Sequence, residues 1–134
     1  MRRETKEITL RFVHKFSAKT PLELNSLSSK IIKAAITIHK ELGPGLLESV
    51  YQSCMVIELN HMGINVEAEK YCPVVYRQKE IKDQGFRLDL LVEDTVIVEL
   101  KSVEKVKSVH KKQLLTYLRL ADKPLGLLIL MSLY

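Results

Sequence analysis

Residues 86–101 read FRLDLLVEDTVIVELK. Two runs of aliphatic and β-branched residues flank Glu93-Asp94-Thr95, and this predicts two antiparallel strands joined by a tight turn. With Val92 opposite Val96, counting back sets Asp89 opposite Glu99 and Arg87 opposite Lys101. Cross-strand Cβ atoms in such pairs are roughly 5 Å apart. Two carboxylates that close repel each other unless positive charge sits between them. Hard divalent cations bind carboxylate oxygens and meet that requirement. Side chains alternate along a strand, so Lys101 shares a face with Glu99. The hairpin therefore presents Asp, then Glu-x-Lys ten residues on, a residue set suited to metal-dependent phosphodiester chemistry.

A second reading stays open at this point. Any half-buried antiparallel pair alternates polar and apolar residues, and Arg87–Asp89 and Glu99–Lys101 salt bridges on a solvated face would look the same. Against it, Leu91 and Ile97 fall on the face of the charges, so part of that face must be covered. Charge beside a covered apolar patch is costly unless it is paired or metal-bound.

The chain of 134 residues suits a single domain of ordinary globular composition, with 46% hydrophobic and 28% charged residues. It lacks Trp and has three Phe, so its core must be aliphatic. A net charge of +5 mildly favours an anionic partner such as nucleic acid. Cys54 and Cys72 lie in no CxxC or His-spaced pattern, which argues against structural zinc and for reduced, intracellular cysteines. No stretch approaches a membrane span, and the charged N-terminus lacks the apolar run of a signal peptide. The expectation is a cytoplasmic protein without a membrane partner.

Residues 1–19 are basic and weakly patterned, either a strand through Ile8, Leu10 and Phe12 or an N-terminal extension to a domain spanning 20–134. Thr20-Pro21-Leu22-Glu23 is a helix start, with a capping Thr, Pro at the first helical position and Glu three residues after the cap. Apolar residues then recur at helical spacing to Leu42, and Gly43-Pro44-Gly45 ends the helix. A second helix is predicted from Leu46 to Met62, with Gly63 closing it. The period turns to two from Ile64, a short strand follows at Val74–Tyr76, and Lys79–Gly85 reads as a polar turn. After the charged hairpin and a loop over 102–107, His110–Leu120 is helical, with Leu114, Leu115, Leu118 and Val109 as inward positions. Leu125–Leu130 is a buried strand. The order α-α-β-β-β-β-α-β, with a helix between the last two strands, predicts parallel pairing there and an α/β fold: a mixed central sheet flanked by helices.

Other residues carry possible chemistry. Glu48 stands in the first turn of the second helix and shares a face with Tyr51, although a carboxylate there also suits the helix dipole. Gln113 and Tyr117 form a one-turn pair on the helix after Glu-x-Lys, equally compatible with a wet helix face. Lys105, Lys107, His110, Lys111 and Lys112 could touch phosphates or simply be solvated. Gly43-Pro44-Gly45 lacks the Lys-Ser/Thr of a phosphate-binding loop. The four histidines show no ligand spacing.

LGPGLLESVY, with Gly45, Glu48 and Tyr51, resembles the signature of the GxxExxY protein family. FRLDLLV, VIVELKSVE and QLLTYL continue the likeness in the same order, over about Leu24 to Met131. That family is grouped with the PD-(D/E)xK nuclease superfamily. The resemblance implies a restriction-endonuclease-like αβββαβ core with an extra N-terminal helix. It implies that Asp89, Glu99 and Lys101 are the Asp, Glu and Lys of the site, that Glu48 is the acidic residue of the first core helix, and that Gln113 and Tyr117 match a QxxxY motif. The residue before Asp89 is Leu88 rather than Pro. The activity implied is Mg²⁺-dependent hydrolysis of phosphodiester bonds, in DNA rather than RNA, with Mn²⁺ as a substitute ion. Asp89, Glu99, the Leu100 carbonyl and Glu48 would bind the metal, and Gln113, Tyr117, Arg87 and Tyr51 would support the site or touch nucleic acid. A catalytically silent nucleic-acid-binding or assembly protein that keeps the fold is the alternative. Exposed edge strands would suit a homodimer.

Overall fold

The computed structural model describes residues 9–14, 19–103 and 105–131. Ten elements follow in the order β1 (Thr9–Val13), α1 (Pro21–Leu42), α2 (Glu48–His61), β2 (Val66–Cys72), β3 (Val75–Tyr76), β4 (Lys79–Glu80), β5 (Phe86–Val92), β6 (Val96–Lys101), α3 (Ser108–Ala121) and β7 (Leu125–Leu130). Five strands form one mixed sheet in the order β1-β7-β6-β5-β2. β6 and β7 are parallel, as the intervening α3 requires, and the other neighbours are antiparallel. From α2 onward, leaving aside the small hairpin, the sequence α2-β2-β5-β6-α3-β7 is an αβββαβ unit, and α1 is the extra helix.

Local chemistry explains the boundaries. Thr20 caps α1, its hydroxyl accepting from the Glu23 amide at 3.1 Å, with Pro21 at the first helical position. At the end of α2, the Gly63 amide bonds the Asn60 carbonyl and the Ile64 amide bonds that of Leu59. Gly63 has φ 77° there, the left-handed backbone that closes a helix in this pattern. The helix begins at Glu48, two residues later than its apolar spacing predicts, because Leu46 and Leu47 complete the preceding loop.

Two apolar clusters flank the sheet. Leu90, Val92, Val96, Val98, Leu100, Leu125, Leu127 and Ile129 pack with Ile31, Ile38, Met55 and Leu59 of α1 and α2. Leu88, Leu91, Ile97 and Leu128 pack with Leu114 and Leu118 of α3 on the opposite face. Leu115 and Val109 do not join them. They are 39% and 61% exposed, since α3 rests on the sheet through a narrower stripe than its sequence predicts.

Two further findings concern strands, the first an alternative that the sequence left open and the second a departure from it. Thr9–Val13, within the basic N-terminal stretch, is an edge strand paired antiparallel with β7. Leu10 and Phe12 cover the cluster under α3, and Ile8 lies outside the described residues. Lys79-Glu80 pairs with Val75-Tyr76 rather than forming a turn. The turn between them is Arg77-Gln78, both with positive φ, as a two-residue hairpin demands.

Candidate active site

The tight hairpin forms as its composition predicts. Glu93 and Asp94 both have left-handed φ, the Thr95 amide bonds the Val92 carbonyl at 2.9 Å, and Val92 faces Val96. Pairing then runs only as far as Leu90 opposite Val98. Beyond that point the strands part, and side chains take over from the ladder. The Asp89 amide donates to Glu99 Oε2 at 2.9 Å, and the Leu100 amide donates to Asp89 Oδ2 at 2.9 Å. Each carboxylate thus uses one oxygen on the backbone of the other strand. Simple cross-strand facing of Asp89 and Glu99 is replaced by this reciprocal exchange, and Arg87 is not opposite Lys101.

Strict alternation also fails on β5. Leu88 packs with Leu91 beneath α3, whereas Leu90 packs with Val92 beneath α1 and α2. The side-chain sequence therefore slips at Asp89. Because of that slip Arg87 leaves the face predicted for it. Its guanidinium lies 5.6 Å from the centre of the Tyr71 ring and donates to the Glu69 carbonyl at 3.3 Å.

Burial makes the two carboxylates costly to ionise. Glu99 is 4% exposed. Burial first, and repulsion from Asp89 second, push its carboxyl up to about 8, although the Asp89 amide and Lys101 oppose the rise. Burial also raises Asp89, against the pull of the Leu100 amide and Lys101, with Glu48 and Glu69 adding repulsion. The Tyr117 hydroxyl is raised by burial and then by the negative charge of Glu99 and Asp89, and its ring stacks on Phe86 with centroids 4.4 Å apart. Lys101, half-buried at the end of β6, contributes the positive field.

α2 supplies the rest. Glu48 is its first residue, and Glu48 Oε2 accepts the Ser102 amide at 2.8 Å, which ties the helix start to the end of β6. Tyr51 is fully buried, and its hydroxyl donates to the Gly43 carbonyl at 2.6 Å and accepts the Leu46 amide at 3.2 Å. Its phenol braces the loop that launches Glu48 and is not presented to solvent. One turn beyond Glu48, Gln52 donates to the Asp89 carbonyl at 2.8 Å. Gln113 is exposed on α3. The arrangement gathers Asp89, Glu99, Lys101 and Tyr117, with Glu48 at its edge.

Glu69 and Gln52 were missed by sequence reasoning. Glu69 is one of several charges on an exposed strand, and only its place across from Asp89 distinguishes it. The signal for Gln52 was its one-turn spacing from Glu48, which becomes meaningful once β5 is known to lie beneath α2.

The family model described as the PD-(D/E)XK nuclease superfamily matches residues 25–132. The chain belongs to that superfamily. Comparison with curated proteins and with solved structures gave no match. In this chain β5 carries Asp89 and the neighbouring β6 carries Glu99 and Lys101. No helix among the described residues is long and apolar enough to cross a membrane.

The donor set suits a divalent cation. Among the described residues no group of three or more His, Cys, Asp or Glu side chains is close enough to cage an ion. Mg²⁺ requires no such cage, since it keeps most of its waters and takes one or two carboxylates with substrate phosphate. Asp89 and Glu99 each retain an oxygen beyond the one bonded to backbone. A cation there would offset the burial, and the nearby negative charge, that raise both carboxyls.

Proposed function

We propose that this protein is a Mg²⁺-dependent nuclease that hydrolyses phosphodiester bonds in DNA. The observation that carries the reading is the reciprocal bonding of Asp89 and Glu99 across two parted strands, with Lys101 beside them. A purely structural hairpin gains nothing from burying two mutually repelling carboxylates, whereas a cation site requires them. The likeness to the GxxExxY family supports the same activity.

Asp89, Glu99 and the Leu100 carbonyl would hold the ion, with Glu48 reaching it directly or through water. Bound there, Mg²⁺ supplies a water of lowered pKa and offsets charge on the scissile phosphate. Lys101 orients the attacking water and neutralises negative charge that develops on the phosphoryl oxygens. Tyr117 covers the carboxylates on the α3 side. The lysines of residues 105–112 meet the nucleic-acid backbone, consistent with the net charge of +5. Mn²⁺ substitutes for Mg²⁺, and the exposed edge strand β2 suits a second copy of the chain on a duplex.

Cleavage of plasmid and single-stranded DNA with Mg²⁺ or Mn²⁺ tests this directly. Asp89→Ala and Lys101→Ala are expected to abolish cleavage while keeping the cooperative unfolding of the wild type. Wild-type rates in the Asp89→Ala protein would refute the assignment. DNA binding without any metal-dependent cleavage would favour the catalytically silent alternative.

A further inference from the structure

β2 and β5 pair from Val66 opposite Val92 to Cys72 opposite Phe86, and the register skips only Glu69 and Asp89. Glu69 has φ 53°, a left-handed backbone that a non-glycine residue adopts at some cost. It is also at Asp89 that the side-chain alternation of β5 slips. One rung of the ladder has therefore opened on each strand at the same level. Open rungs leave backbone carbonyls in need of donors. Here both are met by side chains: Arg87 donates to the Glu69 carbonyl, and Gln52 donates to the Asp89 carbonyl.

We propose that Gln52 is a positioning residue for the Asp89 carboxylate, its amide standing in for the strand partner that Asp89 has lost. The physical case is one of competition. An Asp89 carbonyl without the Gln52 amide would recover a donor by restoring the rung to Glu69, and that would return β5 to regular alternation. Regular alternation would carry the Asp89 side chain away from the Leu100 amide it now accepts at 2.9 Å. Gln52 also sits one turn after Glu48 on α2, so a single helix face anchors both the backbone of one carboxylate and the side chain of another. The inference rests on the proposed metal site, but it concerns how that site is held, and it has a consequence in metal-free protein.

Two isosteric variants remove the donor, Gln52→Met without charge and Gln52→Glu with it. The first readout is amide exchange of Leu100 in EDTA, compared with Val98 on the same strand. Exchange at Leu100 should become roughly tenfold faster in both variants, the loss of about one hydrogen bond, while Val98 is unchanged. The second readout is Mn²⁺ affinity by calorimetry, expected to weaken about tenfold or more in Gln52→Met, as for partners that orient metal ligands from behind. Ser53→Ala, whose hydroxyl bonds the Ser49 carbonyl of its own helix, should match the wild type in both. Wild-type exchange at Leu100 in both variants would overturn the proposal, as would wild-type Mn²⁺ affinity in Gln52→Met. A wild type that binds no Mn²⁺ would instead sink the metal reading, and the exchange rate would still decide the role of Gln52.

Discussion

Glu99 shows how far the site departs from what stability alone would choose. Its carboxyl, ordinarily near 4.5, is pushed up to about 8 by burial and by Asp89. An acid whose folded value is raised lends stability in its protonated form, fully present below the unfolded value and lost as pH rises through the folded one. The thermal midpoint of the metal-free protein should therefore fall from about pH 5 to about pH 9. Glu99→Gln should flatten that decline and raise the midpoint near pH 9 by roughly 5 °C, as scanning calorimetry in EDTA would read. A variant that is less stable than the wild type at that pH would contradict the electrostatic picture. Tyr51 is the reverse case, a residue of the GxxExxY signature whose visible work is structural. Tyr51→Phe leaves the Gly43 carbonyl and Leu46 amide without their partner, and should cost about 1–3 kcal/mol in urea unfolding.

Among the elements, α3 and β7 approach closely because Gly126 has no side chain. A Cβ there would lie 3.0 Å from Leu114 Cδ1 and 3.2 Å from Leu118 Cδ1, both side chains fully buried. Gly126→Ala should force α3 outward and cost about 1–2 kcal/mol, within the range for overpacking a core. Tyr117 rides on α3 beside Asp89 and Glu99, so its ring should shift with the helix, and the Phe86–Tyr117 stack offers an aromatic NMR signal for that movement. α2 works differently. It meets the site through polar contacts at Glu48 and Gln52 rather than through apolar packing.

For the molecule as a whole, β1 is what closes the β7 edge of the sheet. β7 is buried along its entire length and consists of Leu, Gly and Ile. Deleting residues 1–13 would expose its unpaired backbone and remove Leu10 and Phe12 from the cluster under α3, uncovering its Leu128 side. The truncated chain should unfold at lower temperature and associate through that edge, which light scattering and sedimentation would detect. A truncated chain that stays monomeric with an unchanged midpoint would show that β1 contributes nothing. The carboxylates lie on β5 and β6, inside the sheet, so their placement depends on that closure only indirectly.

Much of this was legible in the residues themselves. Thr20 and Pro21 mark a helix start by local bonding, Gly63 a helix end by its permitted dihedrals, and Glu93-Asp94-Thr95 a hairpin whose turn sets Val92 against Val96. The α3 crossover dictates a parallel β6–β7 pair. Asp89, Glu99 and Lys101 stand out because charge interrupts an aliphatic run. Periodicity cannot reveal where a ladder opens, since alternation assumes that every rung is closed. The slip at Asp89, the turning of Arg87 to Tyr71 and the reach of Gln52 to the Asp89 carbonyl all depend on which backbone groups are left unpaired when α2, β2 and β5 come together. The sequence alone determined which residues carry the charge. Tertiary structure decided how those charges are held, because unsatisfied backbone groups find their partners only in the assembled fold.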